Sequence, residues 1–343
     1  MNSSNWNNVY ETVTLNSTSF PKNDNDQLSA PDWVGIFLYA LVFLLGVPGN
    51  GLVVWITAFD IKRSVNTIWF LNLAVADLLC CLSVPINITT ITLRYWPLGL
   101  FCKVILSIVS ITMYTSILLL TMISIDRCVL VIKPVWCQNK RTLGKAYVAC
   151  AVIWILAIVF NSPSFIFWGI RKSEGKEECK YDYEIRGEGK QRTENSITIS
   201  RLLIGFILPF LVLVTCYTIL IIRVRNRFTK TTKIMKVVLV VITGFFICWL
   251  PYHVTGMIAA LSPNNSWLLT HKSTIDEIFI AIAFMNNCIN PIIYVLMGQD
   301  LKSKMTKSIS TVLRNALVEE ASQSRDTRKK KSTVGYRNSE TSV

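Results

Sequence analysis

The sequence predicts an all-α membrane protein, a bundle of seven transmembrane helices followed by a short amphipathic eighth helix. Of the 343 residues, 52% are hydrophobic and only 16% are charged, which is little charge for a soluble domain. The hydrophobic residues cluster in long runs, as lipid requires and a globular interior does not. Basic residues stand at the ends of these runs, which is typical of membrane proteins.

Seven runs are long enough to cross about 30 Å of hydrocarbon as a helix. They occupy residues 33–59, 65–93, 101–132, 147–170, 197–222, 237–261 and 275–297. Together these runs predict a bundle at 33–299. The rest of the chain predicts an extracellular N-terminal segment at 1–32, an amphipathic helix at 300–317 and a disordered cytoplasmic tail at 318–343.

The orientation follows from the short loops. Basic residues follow the first, third, fifth and seventh runs, and residues 223–236 alone hold six of them without an acid. Positive loops face the cytoplasm, so an odd number of spans places the N-terminus outside a multi-pass plasma-membrane protein. Asn2 and Asn16 begin glycosylation motifs in that outer segment, and Asn264 begins another in an outer loop.

Several polar groups stand where lipid would penalise them. Asp77 lies in the middle of the second run, and Ser116 and three asparagines at 286, 287 and 290 lie at similar depth. Such groups face protein or water, either only for packing or as a functional polar cavity. Their number favours the cavity. Pro209, Pro251 and Pro291 also lie inside runs, where each frees a carbonyl and kinks its helix.

The outer loops carry two further features. Cys102 and Cys179 are the two cysteines that this topology places outside, so they are expected to form a disulfide. Residues 171–194 hold seven basic and seven acidic residues. This loop is either a solvated surface or a docking surface for a charged peptide or protein, and Arg201 and Asp276 continue its charges inward.

Other functional classes fit less well. The net charge of +14 is not arranged as a basic stripe among aromatics, so nucleic acid is not an expected partner. With two histidines and no evident nucleophile–base set, an enzyme is not expected. A small transporter is the rival from another class, but the sequence shows neither internal repeats nor a continuous charged path.

At this point the motifs resemble those of the rhodopsin-like G-protein-coupled receptors. They are GN at 49–50, LAVAD ending at Asp77, DRC at 126–128, Trp154, Pro209 with Tyr217, FFICWLPY at 245–252 and NPIIY at 290–294. Within that family the chain is most similar to the receptors for the complement component 5a anaphylatoxin. Receptors for complement component 3a or formyl peptides remain alternatives, because they share several of these stretches.

The resemblance implies chemotactic signalling from an extracellular peptide or small protein, the anaphylatoxin, to a heterotrimeric G protein of the inhibitory class. The ligand is expected to contact Glu194, Arg201, Tyr252 and Asp276. The residues assigned to activation and G-protein coupling are Asp126, Arg127, Tyr217, Phe245, Trp249, Pro251, Asn290, Pro291 and Tyr294. Asp126 is expected to neutralise Arg127 until activation separates them. An allosteric sodium ion, the one bound group implied, would sit among Asp77, Ser116, Asn286 and Asn290.

The C-terminal region predicts two further partners. Leu301, Met305, Ile309 and Leu313 recur at i+4 spacing, so this helix is expected to lie on membrane lipid. The tail beyond it is rich in hydroxyl side chains whose phosphorylation would supply charge for arrestin. Those side chains are Ser322, Ser324, Thr327, Ser332, Thr333, Ser339, Thr341 and Ser342.

Overall fold

The computed structural model describes residues 28–173, 176–181, 189–224, 228–261 and 266–297. Its helices are α1 Ala30–Trp55, α2 Val65–Leu82, α3 Val84–Leu93, α4 Cys102–Ile132, α5 Pro134–Lys140, α6 Leu143–Phe160, α7 Ser162–Phe167, α8 Lys190–Leu202, α9 Leu208–Val224, α10 Phe228–Leu261 and α11 Ser266–Met297. Two strands, β1 Trp168–Ser173 and β2 Lys176–Tyr181, pair antiparallel. The glycosylation sites Asn2 and Asn16, the predicted amphipathic helix and the tail phosphorylation sites lie outside the described residues.

The predicted bundle of seven helices is confirmed. Within the described part of the chain, six helical stretches are long and apolar enough to cross a membrane. They are Ala30–Asp60, Val65–Leu93, Cys102–Ile132, Leu143–Phe167, Gln191–Arg223 and Thr243–Leu261. The seventh helix, α11, packs against α1, α2 and α10. Large apolar side chains such as Leu44, Val148 and Ile222 are about two-thirds exposed on the bundle, at 65%, 65% and 67%, as lipid contact requires.

Helix starts follow from local capping. Ser29 precedes α1, and its backbone N–H donates to the Asp32 carboxylate at 2.6 Å. Ser64 caps α2 by accepting from the Thr67 backbone N–H at 3.2 Å, and Thr142 caps α6 in the same way. These contacts satisfy backbone donors that the first turn of a helix leaves without partners.

Prolines lie at the start of some helices and inside others. Pro85 lies in the first turn of α3, which follows α2 at Ser83. Pro209 follows a π-helical turn at Leu203–Ile207, and Pro251 and Pro291 lie inside α10 and α11. Each proline lacks an N–H and leaves the carbonyl four residues earlier without its helical partner.

Helix α4 is the centre of the bundle and packs against α2, α6 and α9. The main cluster of buried apolar side chains surrounds its cytoplasmic half and includes Leu119, Leu213 and Phe245. Helix α1 approaches α11 closely at a glycine. At Gly49 in α1, an added Cβ would lie 3.1 Å from a ring carbon of Pro291.

The strand pair was not predicted, because the fourth run was expected to stay helical to residue 170. The helix ends at Phe160, and α7 is followed by a hairpin in which Ile170 is paired with Cys179. The predicted disulfide between Cys102 and Cys179 is confirmed and joins this hairpin to the start of α4, with Cα atoms 5.8 Å apart. The Trp96 backbone N–H donates to the Glu177 carbonyl at 2.6 Å. The hairpin is therefore attached at two points, to the connection between α3 and α4 and to the first residue of α4.

Candidate functional site

A buried polar network joins three helices in the middle of the bundle. Asp77 in α2 is completely buried. Ser116 in α4 donates its hydroxyl hydrogen to one carboxylate oxygen, and Asn290 in α11 donates its amide hydrogen to the other, each at 2.6 Å. Charge-assisted bonds of this kind offset the cost of burying a carboxylate. Three of the four residues predicted to hold a cation are thus brought together.

The fourth residue, Asn286, is buried in α11, four residues before Asn290. Its amide nitrogen has no hydrogen-bond partner among the described residues. The side-chain oxygens of Asn50 and Asn290 are likewise buried without a partner there. Carboxylate, hydroxyl and amide oxygens are ligands for hard cations. The oxygen set of Asp77, Ser116 and Asn290 therefore fits the predicted sodium ion.

Asn50 supports the same region from α1. Its amide nitrogen donates to the carbonyls of Gly46 and Asn287, both at 3.0 Å. The Asn287 carbonyl is the one that Pro291 deprives of its helical partner. An asparagine of another helix thus provides the hydrogen bond that this carbonyl lacks within α11. This contact links the NPIIY kink to the GN motif.

At the cytoplasmic end, Asp126 pairs with a different arginine from the one expected. The Arg141 guanidinium, in the connection between α5 and α6, donates through Nε and Nη2 to the two Asp126 oxygens at 2.7 and 2.8 Å. Nη2 also donates to the Asn66 side-chain oxygen in α2 at 2.5 Å. The hydrogen-bonded ion pair of Asp126 is thus made with Arg141, while the charge of Asp126 still acts on Arg127 through space. Neighbouring residues on a helix point about 100° apart and do not face each other.

Arg127 contacts an aromatic ring instead of a carboxylate. Its guanidinium carbon lies 5.9 Å from the centre of the Phe70 ring, and its Nε has no hydrogen-bond partner among the described residues. Tyr217 in α9 is buried nearby, within the electrostatic reach of Arg127, and its hydroxyl oxygen accepts from Ser124 at 3.1 Å. Tyr217 therefore lies close enough for the charge of Arg127 to act on it. Tyr294 lies in α11, but its side chain is outside the described ones.

A column of aromatic rings connects the middle of the bundle to its outer half. Phe245 is completely buried and stacks on Phe206, with ring centres 5.7 Å apart. Trp249, one turn further along α10, is 7% exposed and lies 6.1 Å from the His253 ring. The sequence indicated Phe245 and Trp249 but missed Phe206 and His253. An aromatic side chain in an apolar run carries no signal that distinguishes it from lipid-facing neighbours.

The four predicted ligand contacts come from three helices at the outer end. Glu194 and Arg201 lie on α8, Tyr252 on α10 and Asp276 on α11, and all four are half-buried. Each interacts with other groups of the chain. Charges of both signs therefore line this end of the bundle.

The sequence missed an ion pair at the same end. Asp32 was assigned to the N-terminal segment, whereas it lies in the first turn of α1 with 2% of its side chain exposed. Its carboxylate accepts from Arg94, the residue that ends α3, at 2.5 Å. A single basic residue after the second span was the signal that could have indicated this pair. The pair attaches the start of the first span to the end of the second.

Comparisons with known proteins agree with this architecture. Residues 49–294 match the family model described as "7 transmembrane receptor (rhodopsin family)". The chain is 45% identical over 319 residues to "C5a anaphylatoxin chemotactic receptor 1" of Canis lupus familiaris, which covers 91% of this chain and 90% of the relative. For the protein of that name in Homo sapiens the identity is 45% over 317 residues, covering 91% and 89%. For Rattus norvegicus it is 46% over 295 residues, covering 84% and 83%.

These matches confirm the resemblance inferred from the motifs. Members of the family are receptors rather than enzymes, cross the plasma membrane several times and pass a signal from an extracellular ligand to a G protein. The seven-helix bundle, the buried Asp77 network and the similarity over nine-tenths of the length lead to one conclusion. The chain belongs to the rhodopsin family of seven-transmembrane G-protein-coupled receptors.

Proposed function

We propose that this receptor recognises the complement component 5a anaphylatoxin and signals through the inhibitory class of G protein to direct leukocyte chemotaxis. The observation that carries the proposal is the identity of about 45% over nine-tenths of the chain to proteins named for this ligand. The outer end supports it, because Arg201 and Asp276 offer opposite charges to one ligand. A basic side chain would pair with Asp276, and a terminal carboxylate with Arg201.

The mechanism is a change between two arrangements of the bundle. A ligand that moves the equilibrium from 1:99 to 99:1 must prefer the active arrangement by about 5.5 kcal/mol. Ion pairs that form only in that arrangement, to Asp276 and Arg201, supply the preference. The aromatic column of Phe206, Phe245 and Trp249 lies between these groups and the cytoplasmic half. Movement there opens a cytoplasmic surface at Arg127 for the G protein.

Other groups adjust this equilibrium in our proposal. Asp77, Ser116 and Asn290 would hold a sodium ion between three helices and would so favour the inactive arrangement. The basic stretch at 223–236 contacts the G protein and anionic lipid. Phosphorylation of the tail adds negative charge that arrestin recognises.

The test is a panel of synthetic agonists on cells that lack other chemoattractant receptors. Complement component 5a, complement component 3a and a formyl peptide are compared by inhibition of cAMP formation, with and without pertussis toxin. We expect the first to act at the lowest concentration and the toxin to abolish the response. A response only to one of the other two ligands would assign the receptor to that ligand.

Two variants separate ligand recognition from coupling. Arg127→Ala should abolish the G-protein signal while surface expression and ligand binding persist. Asp276→Asn should weaken a peptide of complement component 5a that ends in arginine, by about 10-fold for one charge-assisted contact. The same peptide with citrulline in place of that arginine is the control. Asp276→Asn should change the affinity of this control peptide little. An equal loss for both peptides would contradict the role of Asp276.

A further inference from the structure

An arginine and a tyrosine meet at the cytoplasmic end of the bundle, on its lipid-facing edge. Arg63 lies in the connection that leads to α2, and its Nη1 donates to the hydroxyl oxygen of Tyr147 in α6 at 2.8 Å. Both residues are exposed. Because the Tyr147 oxygen accepts in this bond, its own hydrogen can still donate, and the guanidinium has further N–H donors. Two neighbouring groups therefore offer hydrogen bonds to one outside acceptor.

The charge around this pair requires that acceptor to be an anion. No salt bridge joins Arg63 to an acid among the residues that the structure describes, and the adjacent Lys62 is exposed as well. A cation would be repelled by both basic side chains. A planar guanidinium beside a hydroxyl group suits a phosphate, because a phosphate has several oxygens that accept at once.

A glycine leaves room for the anion. Gly144 lies three residues before Tyr147 and four before Val148, so it is directly beneath both side chains on the surface of α6. A Cβ added at Gly144 would meet no atom within 4 Å. The space beside the tyrosine hydroxyl is therefore open on the cytoplasmic side.

Above Gly144, α6 presents an apolar stripe to lipid. Val148, Val152 and Ile155 follow one another at helical spacing and are 65%, 47% and 59% exposed. An acyl chain along this stripe brings its headgroup to the level of Tyr147. A soluble phosphate would not use the stripe, whereas the cytoplasmic leaflet supplies anionic headgroups at this depth.

We propose that Arg63 and Tyr147 bind the phosphate of an anionic phospholipid of the cytoplasmic leaflet, whose acyl chain lies along Val148, Val152 and Ile155. The bound lipid joins the connection before α2 to the start of α6 and so stabilises this end of the bundle. The site lies on other helices than the basic stretch at 223–236, which follows α9.

The experiment measures lipid binding to the purified, full-length receptor in detergent, with a fluorescent phosphatidylinositol bisphosphate as the probe. Unlabelled phosphatidylserine, phosphatidylcholine and the free headgroup inositol trisphosphate are the competitors. The variants are Arg63→Gln and Tyr147→Phe. Lys133→Gln is the matched control, because it removes an exposed cytoplasmic charge from the connection between α4 and α5.

We expect Arg63→Gln to weaken the probe by about 10-fold, the effect of losing one charge-assisted contact. Tyr147→Phe should weaken it by about 3-fold, because a neutral hydroxyl contributes less. Lys133→Gln should stay within about 2-fold of wild type. Phosphatidylserine should displace the probe, phosphatidylcholine should not, and inositol trisphosphate should do so only at much higher concentration. The probe lipid should raise the Tm of the wild-type receptor and leave that of Arg63→Gln unchanged.

Three results would overturn the proposal. Equal losses in Arg63→Gln and Lys133→Gln would show a general attraction of charge without a site. Inositol trisphosphate binding as tightly as the lipid would show an anion site that needs no membrane. Unchanged binding in both Arg63→Gln and Tyr147→Phe would leave the stripe to another occupant, and two copies in native mass spectrometry would then assign it to a dimer.

Two features keep the outcome decisive. If Arg63→Gln does not fold, Tyr147→Phe still tests the site, because it keeps the aromatic ring and removes only the hydroxyl. No agonist enters the assay, so the result does not depend on which ligand the receptor recognises.

Discussion

Arg141 provides the sharpest test of how the cytoplasmic end is held together. Its guanidinium contacts both Asp126 oxygens at 2.7 and 2.8 Å and the Asn66 oxygen at 2.5 Å. The arginine side chain is 20% exposed and the aspartate side chain 9%, so water screens this pair less than a surface pair. Replacing Arg141 by glutamine removes the cation and leaves the nearly buried carboxylate of Asp126 without an ion-pair partner. Truncating a partner of such a pair costs about 2–3 kcal/mol.

The assay is a double-mutant cycle on the purified, detergent-solubilised receptor. Unfolding is followed with a thiol-reactive fluorescent dye, because the free cysteines, apart from the half-buried Cys288, are buried in the described structure. Arg141→Gln and Asp126→Asn should each lower the apparent Tm by a few degrees. The double variant should be little worse than either single one, since both remove the same interaction.

Two controls identify the partner of Asp126. Arg127→Gln combined with Asp126→Asn should show a smaller coupling than Arg141→Gln does, because Arg127 makes no hydrogen bond to Asp126 and acts on it only through space. Lys145→Gln removes an exposed positive charge near Arg141 and should leave the Tm unchanged. Additive losses for Asp126 and Arg141, together with coupling between Asp126 and Arg127, would refute the assignment.

Three further predictions concern the bundle and its outer end. Asp77→Asn should abolish the dependence of agonist affinity on sodium chloride. Affinity is measured in sodium chloride and in the chloride of an organic cation at the same ionic strength. A retained dependence on sodium would place the ion elsewhere. Cys102→Ser removes a disulfide that joins residues 77 apart in sequence. The disulfide contributes about 4–5 kcal/mol of stability in the chain-entropy account, so ligand binding and Tm should fall. Adding Cys179→Ser should lower the Tm no further. Gly244→Ala brings a methyl group to 2.6 Å from an isoleucine of α11 and should lower the free energy of unfolding by about 1–3 kcal/mol. Gly51→Ala is the control, because open space surrounds Gly51, and it should not lower the Tm. Equal shifts of the Tm in the two variants would contradict the packing.

Helix existence was predictable from the runs, but helix length was not. The sixth and seventh runs were expected to begin at 237 and 275, whereas α10 begins at Phe228 and α11 at Ser266. Hydropathy indicates which residues contact lipid. A helix continues beyond those residues as long as its backbone hydrogen bonds are formed. The hairpin Trp168–Tyr181 was missed for a related reason. Short strands in a loop of mixed charge have no periodicity that distinguishes them from coil.

The polar network was predictable in part. Asp77, Ser116 and Asn290 were indicated because an acid at that depth needs partners at the same level of other helices. The contact of Asn50 with the Asn287 carbonyl was not, since its partner lies 237 residues away. Nor was the pairing of Asp126 with Arg141 rather than with its sequence neighbour.

The sequence by itself determined that this chain forms membrane-spanning helices, which way they run and which family they belong to. Lipid offers no hydrogen bonds to the backbone, so uncharged runs of this length must be helical, and the charge of the loops orients them. Only the tertiary structure decided which side chains meet. A hydrogen bond requires atoms within about 3 Å and a suitable angle, and these depend on the rotation, tilt and kink of each packed helix, about which the hydropathy of the individual runs carries no information.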